Sequence, residues 1–392
     1  MLAQFGMPGD IVSTIIWFIL FFIFIIFGPR LLLAQTIWKL EKDVLDFEKL
    51  SESAEQIVIK SITKKTNKEV KEKIRGILEF FAIPPVDLDP YGIIKKIDLI
   101  VRQSDKKLTL FTKQLLPHAS KEKTSNIKNA IMGAMTVHQI AKIVRHNFEI
   151  IKKYKLYQMA ILLQMQLPII ARIAKAAKNA TYSFANGIPI GDGIGPLVAA
   201  KMTNGHPNIM EEEEFSWVEC SMQGRKVIIA KAAGPGASTG WPGKFLKKLV
   251  QKEKINRIIT IDAGMRLEGE KPGTVAHGVG IAMGGVGTER YEIEEFAVQN
   301  NIPLDAIVIK VNEEEALEPM PASVYKASTK AIAMTEQIVR AASKSEKILI
   351  IGVGNTCGIG NSSKDLAKTE EIIQREIKHM KKKEEEKKKK MF

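Results

Sequence analysis

The stretch Ile258-Ile-Thr-Ile-Asp-Ala-Gly-Met-Arg266 decides the fold. An unbroken β-branched run meets a carboxylate, Asp262, and then turns through Gly264. Such a run reads as a buried strand, and in an open α/β sheet ligands gather beyond the carboxyl ends of strands. Asp262 therefore stands where chemistry would stand, although an Asp at a strand end also serves as a cap or turn former. The glycine-rich segments that follow, 269–280 and 283–290, read as loops beside that carboxylate.

A second carboxylate has the same setting. Residues 186–202 read as a strand, a glycine turn and a helix, with Asp192 at the turn and Gly193 and Gly195 letting backbone approach whatever binds there. No Lys-Ser/Thr closes this turn as a phosphate loop, and the glycine spacing is not that of a dinucleotide site. Between the two acids lies a third strand, loop and helix, carrying Gly234, Gly236, Thr239 and Gly240. Backbone amides at such helix starts could hold an anion or an oxyanion. Strands are expected at 181–186, 214–222, 226–232, 257–261, 306–310 and 347–353, with helices at 244–254, 292–300 and 323–343. That alternation makes residues 180–365 an α/β domain with a mainly parallel sheet.

Outward from this domain the pattern changes. Residues 35–179 carry Lys/Glu faces with apolar residues at helical spacing, an all-α middle region in which 127–147 and 148–179 read as two long helices or one broken pair. The apolar segment 159–171 contains Gln164, Gln166 and Pro168 and reads as a buried or partner-facing helix. His138 and His146 read as packing or surface residues. Residues 1–34 read as an uncleaved membrane anchor: 11–27 is almost wholly apolar, and the start lacks the Lys or Arg of a signal peptide. Basic residues follow from Arg30 onward, so the N-terminus is expected outside and the body on the cytoplasmic side. Residues 366–392 form a charged Lys/Glu tail, read as a solvated helix.

The net charge of +14 lies in linkers, helix faces and the tail rather than among aromatics, which disfavours nucleic acid as a partner. Cys220 and Cys357 have neither metal-type spacing nor a secreted disulfide framework, so a reducing compartment is expected. Homo-oligomerisation is left open.

The order of the blocks resembles the germination protease and hydrogenase maturation protease superfamily. Asp192-Gly-Ile-Gly-Pro196 matches the Asp-x-x-Gly-Pro turn of germination proteases, and residues 234–240 resemble their Pro-Gly loop ending in Thr-Gly. Ile261-Asp-Ala-Gly-Met-Arg266 resembles their Ile-Asp-Ala segment, and Gly285-Val-Gly-Thr-Glu-Arg290 their glycine-rich loop. The likeness covers about 180–365 and implies a phosphorylase/hydrolase-like α/β fold with Asp192 and Asp262 as the acidic pair. It also implies a divalent metal held by Asp192, Asp262 and a histidine, for which His277 is the candidate. Arg266 and Arg290 could orient a carboxylate or polarised carbonyl, or form surface ion pairs. Asn355 could close the pocket at the end of the last strand, or make a turn. The whole chain further resembles an uncharacterised family of archaeal membrane proteins with one anchor. The resulting expectation is a membrane-anchored hydrolase-like protein, an endopeptidase acting on a protein or peptide. The rival is a non-catalytic anchored scaffold or ligand sensor.

Overall fold

The computed structural model describes residues 11–63, 67–86, 88, 91–203, 205–285 and 287–391. It opens with α1 (Ile11–Ile62), a helix of 52 residues, about 78 Å long at 1.5 Å per residue. Its first part presents apolar side chains outward on every face, from 48% exposed at Ile23 to 73% at Trp17. By length and composition this helix can cross a membrane.

From Leu40 the same helix becomes amphipathic and enters a bundle with α2 (Lys68–Leu78), α3 (Ile93–Leu115), α4 (Lys121–Tyr154) and α5 (Tyr157–Ala185). Leu40, Val44 and Phe47 bury against Phe148, Ile151 and Leu163. Polar pairs fix α4 antiparallel to α1: Arg145 holds Glu48 with both contacts at 2.8 Å, and Lys152 reaches Glu41 at 3.4 Å. His138 takes its expected packing role, with Nδ1 3.1 Å from Ser51 Oγ and Nε2 2.8 Å from Glu79. Helices α4 and α5 approach closely at Gly133, where an added Cβ would lie 2.6 Å from Thr181 Oγ1.

Helix α5 corrects one expectation. Residues 181–186 are not a strand: 181–185 end this helix and Asn186 is its C-cap. Thr181, Tyr182 and Phe184 favour strands locally, but burial of Ala177, Ala180, Thr181 and Phe184 continues the helical face already set by Ala174. Helix α5 is also long and apolar enough to cross a membrane, yet it packs lengthwise along α1 and α4, with Ala160, Leu163 and Leu167 in their shared core.

The chain then forms α6 (Ile194–Met202), β1 (Asn208–Met210), β2 (Phe215–Met222), β3 (Arg225–Ala232), α7 (Pro242–Leu249), β4 (Arg257–Met265), β5 (Val275–Val279), α8 (Thr288–Gln299), β6 (Leu304–Val311), α9 (Glu313–Leu317), α10 (Ala322–Ala341), β7 (Lys347–Gly352) and α11 (Leu366–Met391). The strands make one sheet in the order β1-β2-β3-β7-β4-β6-β5. Its central strands β3, β7, β4 and β6 are parallel, while β1, β2 and β5 add antiparallel edges. The sheet is therefore mixed rather than mainly parallel. The segment expected as a loop at 269–280 contains β5, whose Val275 to Val279 pair with β6.

Side chains alternate between two apolar layers, as the strand period of two requires. Ile229, Ile259, Ile261, Ile307 and Ile350 face α6, α10 and α11. Ile228, Ile258 and Leu349 face Phe245 and Leu249 of α7 and Ile293 of α8.

A further core joins bundle and sheet: Val58, Ile59, Ile127, Ile131 and Ala177 share it with Ile190, Ala237 and Cys357. Ala237 is also held by its N–H donating to Asn126 Oδ1 at 2.8 Å and its carbonyl accepting from Asn129 at 2.7 Å. On another side Arg102 of α3 lies 3.4 Å from Glu289 and 4.1 Å from the centre of the Trp241 ring.

Candidate functional site

The acids meet at the carboxyl edge of the sheet. Ile261 of β4 pairs in register with Gly352 of β7, and the Val353 N–H donates to the Ile261 carbonyl at 2.8 Å. Over this junction sits the start of α6. Any Cβ on Gly195 would collide with the Ile261 and Val353 carbonyl oxygens, so glycine there lets the helix settle on the strand ends. The single 3-10 turn Gly191–Gly193 precedes α6 and carries Asp192 to the same place. The expected strand ahead of it is reduced to one bridge, Ile190 with Pro319.

Asp262 is 4% exposed. Its Oδ1 accepts from the Ala263 N–H at 2.7 Å and its Oδ2 from the Gly284 N–H at 3.1 Å. Thr260 Oγ1 accepts from the Ala282 N–H at 2.8 Å, so Thr260 and Asp262 together pin the loop leading to α8. Asp192 keeps some solvent contact, and its Oδ2 accepts from the Asn355 N–H at 2.9 Å.

Desolvation raises the pKa of both acids. For Asp192 the Asn355 N–H opposes that rise. Asp262 is pushed well above the ordinary carboxylate value, first by burial and then by the charge of Asp192, against the pull of the Gly284 and Ala263 amides. Two carboxyls that feel each other in a dry setting titrate as a unit. The arrangement thus pairs Asp262, whose pKa is raised further, with Asp192, whose rise is opposed by the Asn355 N–H, an asymmetry of the kind that general acid and base chemistry uses.

Asn355 belongs to this site, though through its backbone. It is 6% exposed, and its side-chain Oδ1 accepts from the Cys357 N–H at 2.9 Å. Gly193 packs against the Asn355 carbonyl. The loop bearing Gly234 and Gly236 is closed by Asn361, which accepts from the Gly234 N–H at 2.7 Å and donates to its carbonyl at 3.0 Å. With Lys113, Lys121, Ser125 and Ser238, that loop borders a cavity of about 720 Å³ that neither acid lines. Thr239 is exposed, and Gly240 turns at φ 59° against Phe215. Gly285 has φ 82°, and Gly287 caps α8.

The remaining expected residues lie elsewhere. Arg266 pairs with Glu315 at 3.3 Å and donates to the Glu270 carbonyl. Arg290 makes an exposed pair with Glu294 one helical turn away, the surface role already considered for it. His277 sits on edge strand β5 with Nε2 2.9 Å from Asp305, which also binds Arg257 at 2.7 Å. It does not join the acid pair. Among the described residues no group of three or more His, Cys, Asp or Glu could hold a metal ion. Both oxygens of Asp262 already accept backbone N–H groups. This donor set does not fit a divalent cation, which needs further oxygen or imidazole ligands.

Lys231 is a buried group that the sequence reading passed over. It is 2% exposed, and its Nζ lies 2.9 Å from the Ala232 carbonyl and 3.1 Å from Asn361 Oδ1. Burial lowers its pKa to about 7, against a weaker upward pull from Asp365. A lysine inside Val227-Ile-Ile-Ala-Lys-Ala232 was the available signal, since lysine is almost never fully buried without a partner.

Fold and site together define an α/β protein with two desolvated carboxyls, Asp192 and Asp262, where β4 and β7 part, carried behind a helical bundle and a long apolar helix. Residues 14–187 match the family model described as protein of unknown function (DUF1512) N-terminal domain, and residues 190–360 match domain of unknown function (DUF1512) C-terminal. The chain belongs to the DUF1512 family. No curated protein and no solved structure matches it.

Proposed function

We propose that the chain is a membrane-anchored hydrolase of the peptidase kind, working through Asp192 and Asp262 without a metal. The observation that carries this reading is the placement of two desolvated carboxyls where β4 and β7 part, Asp262 held by the Ala263 and Gly284 N–H groups and Asp192 by the Asn355 N–H. Asp192, in its ionised form, takes a proton from a water molecule as the water oxygen attacks a peptide carbonyl. Asp262, protonated, gives its proton to the carbonyl oxygen, so a neutral tetrahedral adduct forms and no net charge is added to a dry site. The resemblance of the Asp192 and Asp262 segments to the germination and hydrogenase maturation proteases supports the same substrate class. The apolar start of α1 and the basic residues after it support a single anchor with the body on the cytoplasmic side.

The test is peptide release by the purified full-length chain. Asp192→Asn and Asp262→Asn should each lower turnover roughly 100-fold or more, with the double exchange little worse than either single one. One observation favours the scaffold reading: the backbone amides of Asn355, Ala263 and Gly284 all bond to the pair, as structural staples would. Under that reading neither exchange changes any residual hydrolysis, and Asp262→Asn acts on stability alone by losing an acceptor for a backbone amide.

A further inference from the structure

We infer that the turn between α4 and α5 is a second membrane contact, which seats the body of the protein on the headgroups of an anionic bilayer. The inference rests on reading α1 as a membrane span. A hydrocarbon core about 30 Å thick takes roughly 20 helical residues, which from Ile15 ends near Ala34. Trp38 then lies about 6 Å further along the helix, at headgroup depth, and it is 71% exposed. The bundle register brings the turn to this level. Lys152 pairs with Glu41, and the antiparallel course of α4 carries the residues after Lys152 back past Glu41 toward Trp38.

The composition of the turn suits that depth. Residues 152–159 read Lys-Lys-Tyr-Lys-Leu-Tyr-Gln-Met, with three lysines and no acid. Tyr154 is 60% exposed, Leu156 40% and Tyr157 38%, and Lys153 Nζ lies 5.1 Å from the centre of the Tyr154 ring. Lys39 and Lys42 of α1 are exposed on the same level. Aromatic rings with a polar tip gather at membrane interfaces, and clustered lysines next to a span are drawn to anionic lipid. Continuity with the anchor and this charge select the bilayer surface over a second copy of the chain, which would bring like charges together.

The experiment uses the full chain with Cys220→Ser and a fluorescent label on Leu156→Cys, reconstituted into phosphatidylcholine vesicles with or without phosphatidylglycerol. Brominated lipid should quench the label at headgroup depth, more strongly with phosphatidylglycerol. Lys153→Gln with Lys155→Asn should lower the docked fraction, at roughly 5-fold in the docked-to-free ratio per lysine removed. Asn is chosen at 155 because Lys155 has φ 54°. A label that stays accessible to an aqueous quencher in anionic vesicles overturns the inference, as does one shielded only by self-association. Flotation after alkaline washing reads the anchor separately. A chain that floats with an unquenched label refutes the second contact alone, whereas a chain that is washed off refutes the span and the contact resting on it.

Discussion

Asp192 and Lys231 shape the pH dependence of stability in opposite directions. A carboxyl whose folded pKa is raised binds a proton that the unfolded chain has already released, so above its ordinary value of 3.8 stability falls as pH rises through the folded pKa. Asp192→Asn removes that loss and keeps an oxygen for the Asn355 N–H. It should raise the melting temperature at pH 7, by a gain on the order of 1 kcal/mol, and flatten the acid side of the profile. Asp262→Asn is different, because one of its two backbone amides would then face an NH₂ group and lose its acceptor, at about 1 to 3 kcal/mol. Lys231 has a lowered pKa, so between pH 7 and 10.5 the unfolded chain binds the proton and stability rises with pH. Lys231→Met should be the more stable form at pH 6 and should lack the parent's gain between pH 7 and 10. Melting curves of parent and variant across that range check both signs.

At the scale of elements, an ion-pair network ties α3 to the sheet domain. Glu213, Glu289 and Glu292 are each buried, and they face Arg102 of α3 with Lys244, Lys247 and Lys248 of α7. Lys244 also reaches Asp98 of α3 at 3.1 Å. Arg102→Ala should cost about 3 kcal/mol by leaving buried carboxylates under-compensated, while Arg290→Ala, whose pair is exposed, should cost less than about 0.5 kcal/mol. Urea unfolding of the two variants separates these outcomes. The elements also explain what could be read in the sequence. The strands at 226–232, 257–261, 306–310 and 347–353 were legible because apolar runs mark buried central strands, and 214–222 because Phe215, Trp217 and Val218 favour a strand among polar neighbours. Strand β5 was not, since Gly278 and the exposed His277 and Val279 give an edge strand the composition of a loop. Asp192 and Asp262 were legible as acids beside glycines at the ends of apolar runs, although Asp192 sits on a 3-10 turn and Asp262 lies inside β4, paired with Val308. The placement of His277 on Asp305 was not, because it depends on β5 pairing with β6.

The whole molecule is built of interlocked parts rather than a sheet domain on a separate stalk. The core joining Ile127, Ile131 and Ala177 to Ala237 and Cys357 predicts that a fragment beginning near residue 175 will aggregate, while one beginning at residue 35 and running to 391 will fold cooperatively. Equal solubility and equally sharp melts of the two fragments would contradict that coupling. The same interlocking links the apolar start of α1 and the α4–α5 turn to the acids through α1, α4 and Asn129, whose side chain lies 3.5 Å from that of Asn355.

The central claim, that Asp192 and Asp262 act as one coupled unit, is tested most directly by the carboxyl titration of Asp262 in the full-length chain. With ¹³C-labelled aspartate, assigned through the single Asn exchanges, Asp262 should remain protonated well above the ordinary carboxylate range, and its titration should move downward when Asp192→Asn removes the neighbouring charge. An Asp262 that ionises near pH 4, or whose titration is unmoved by Asp192→Asn, would contradict the account.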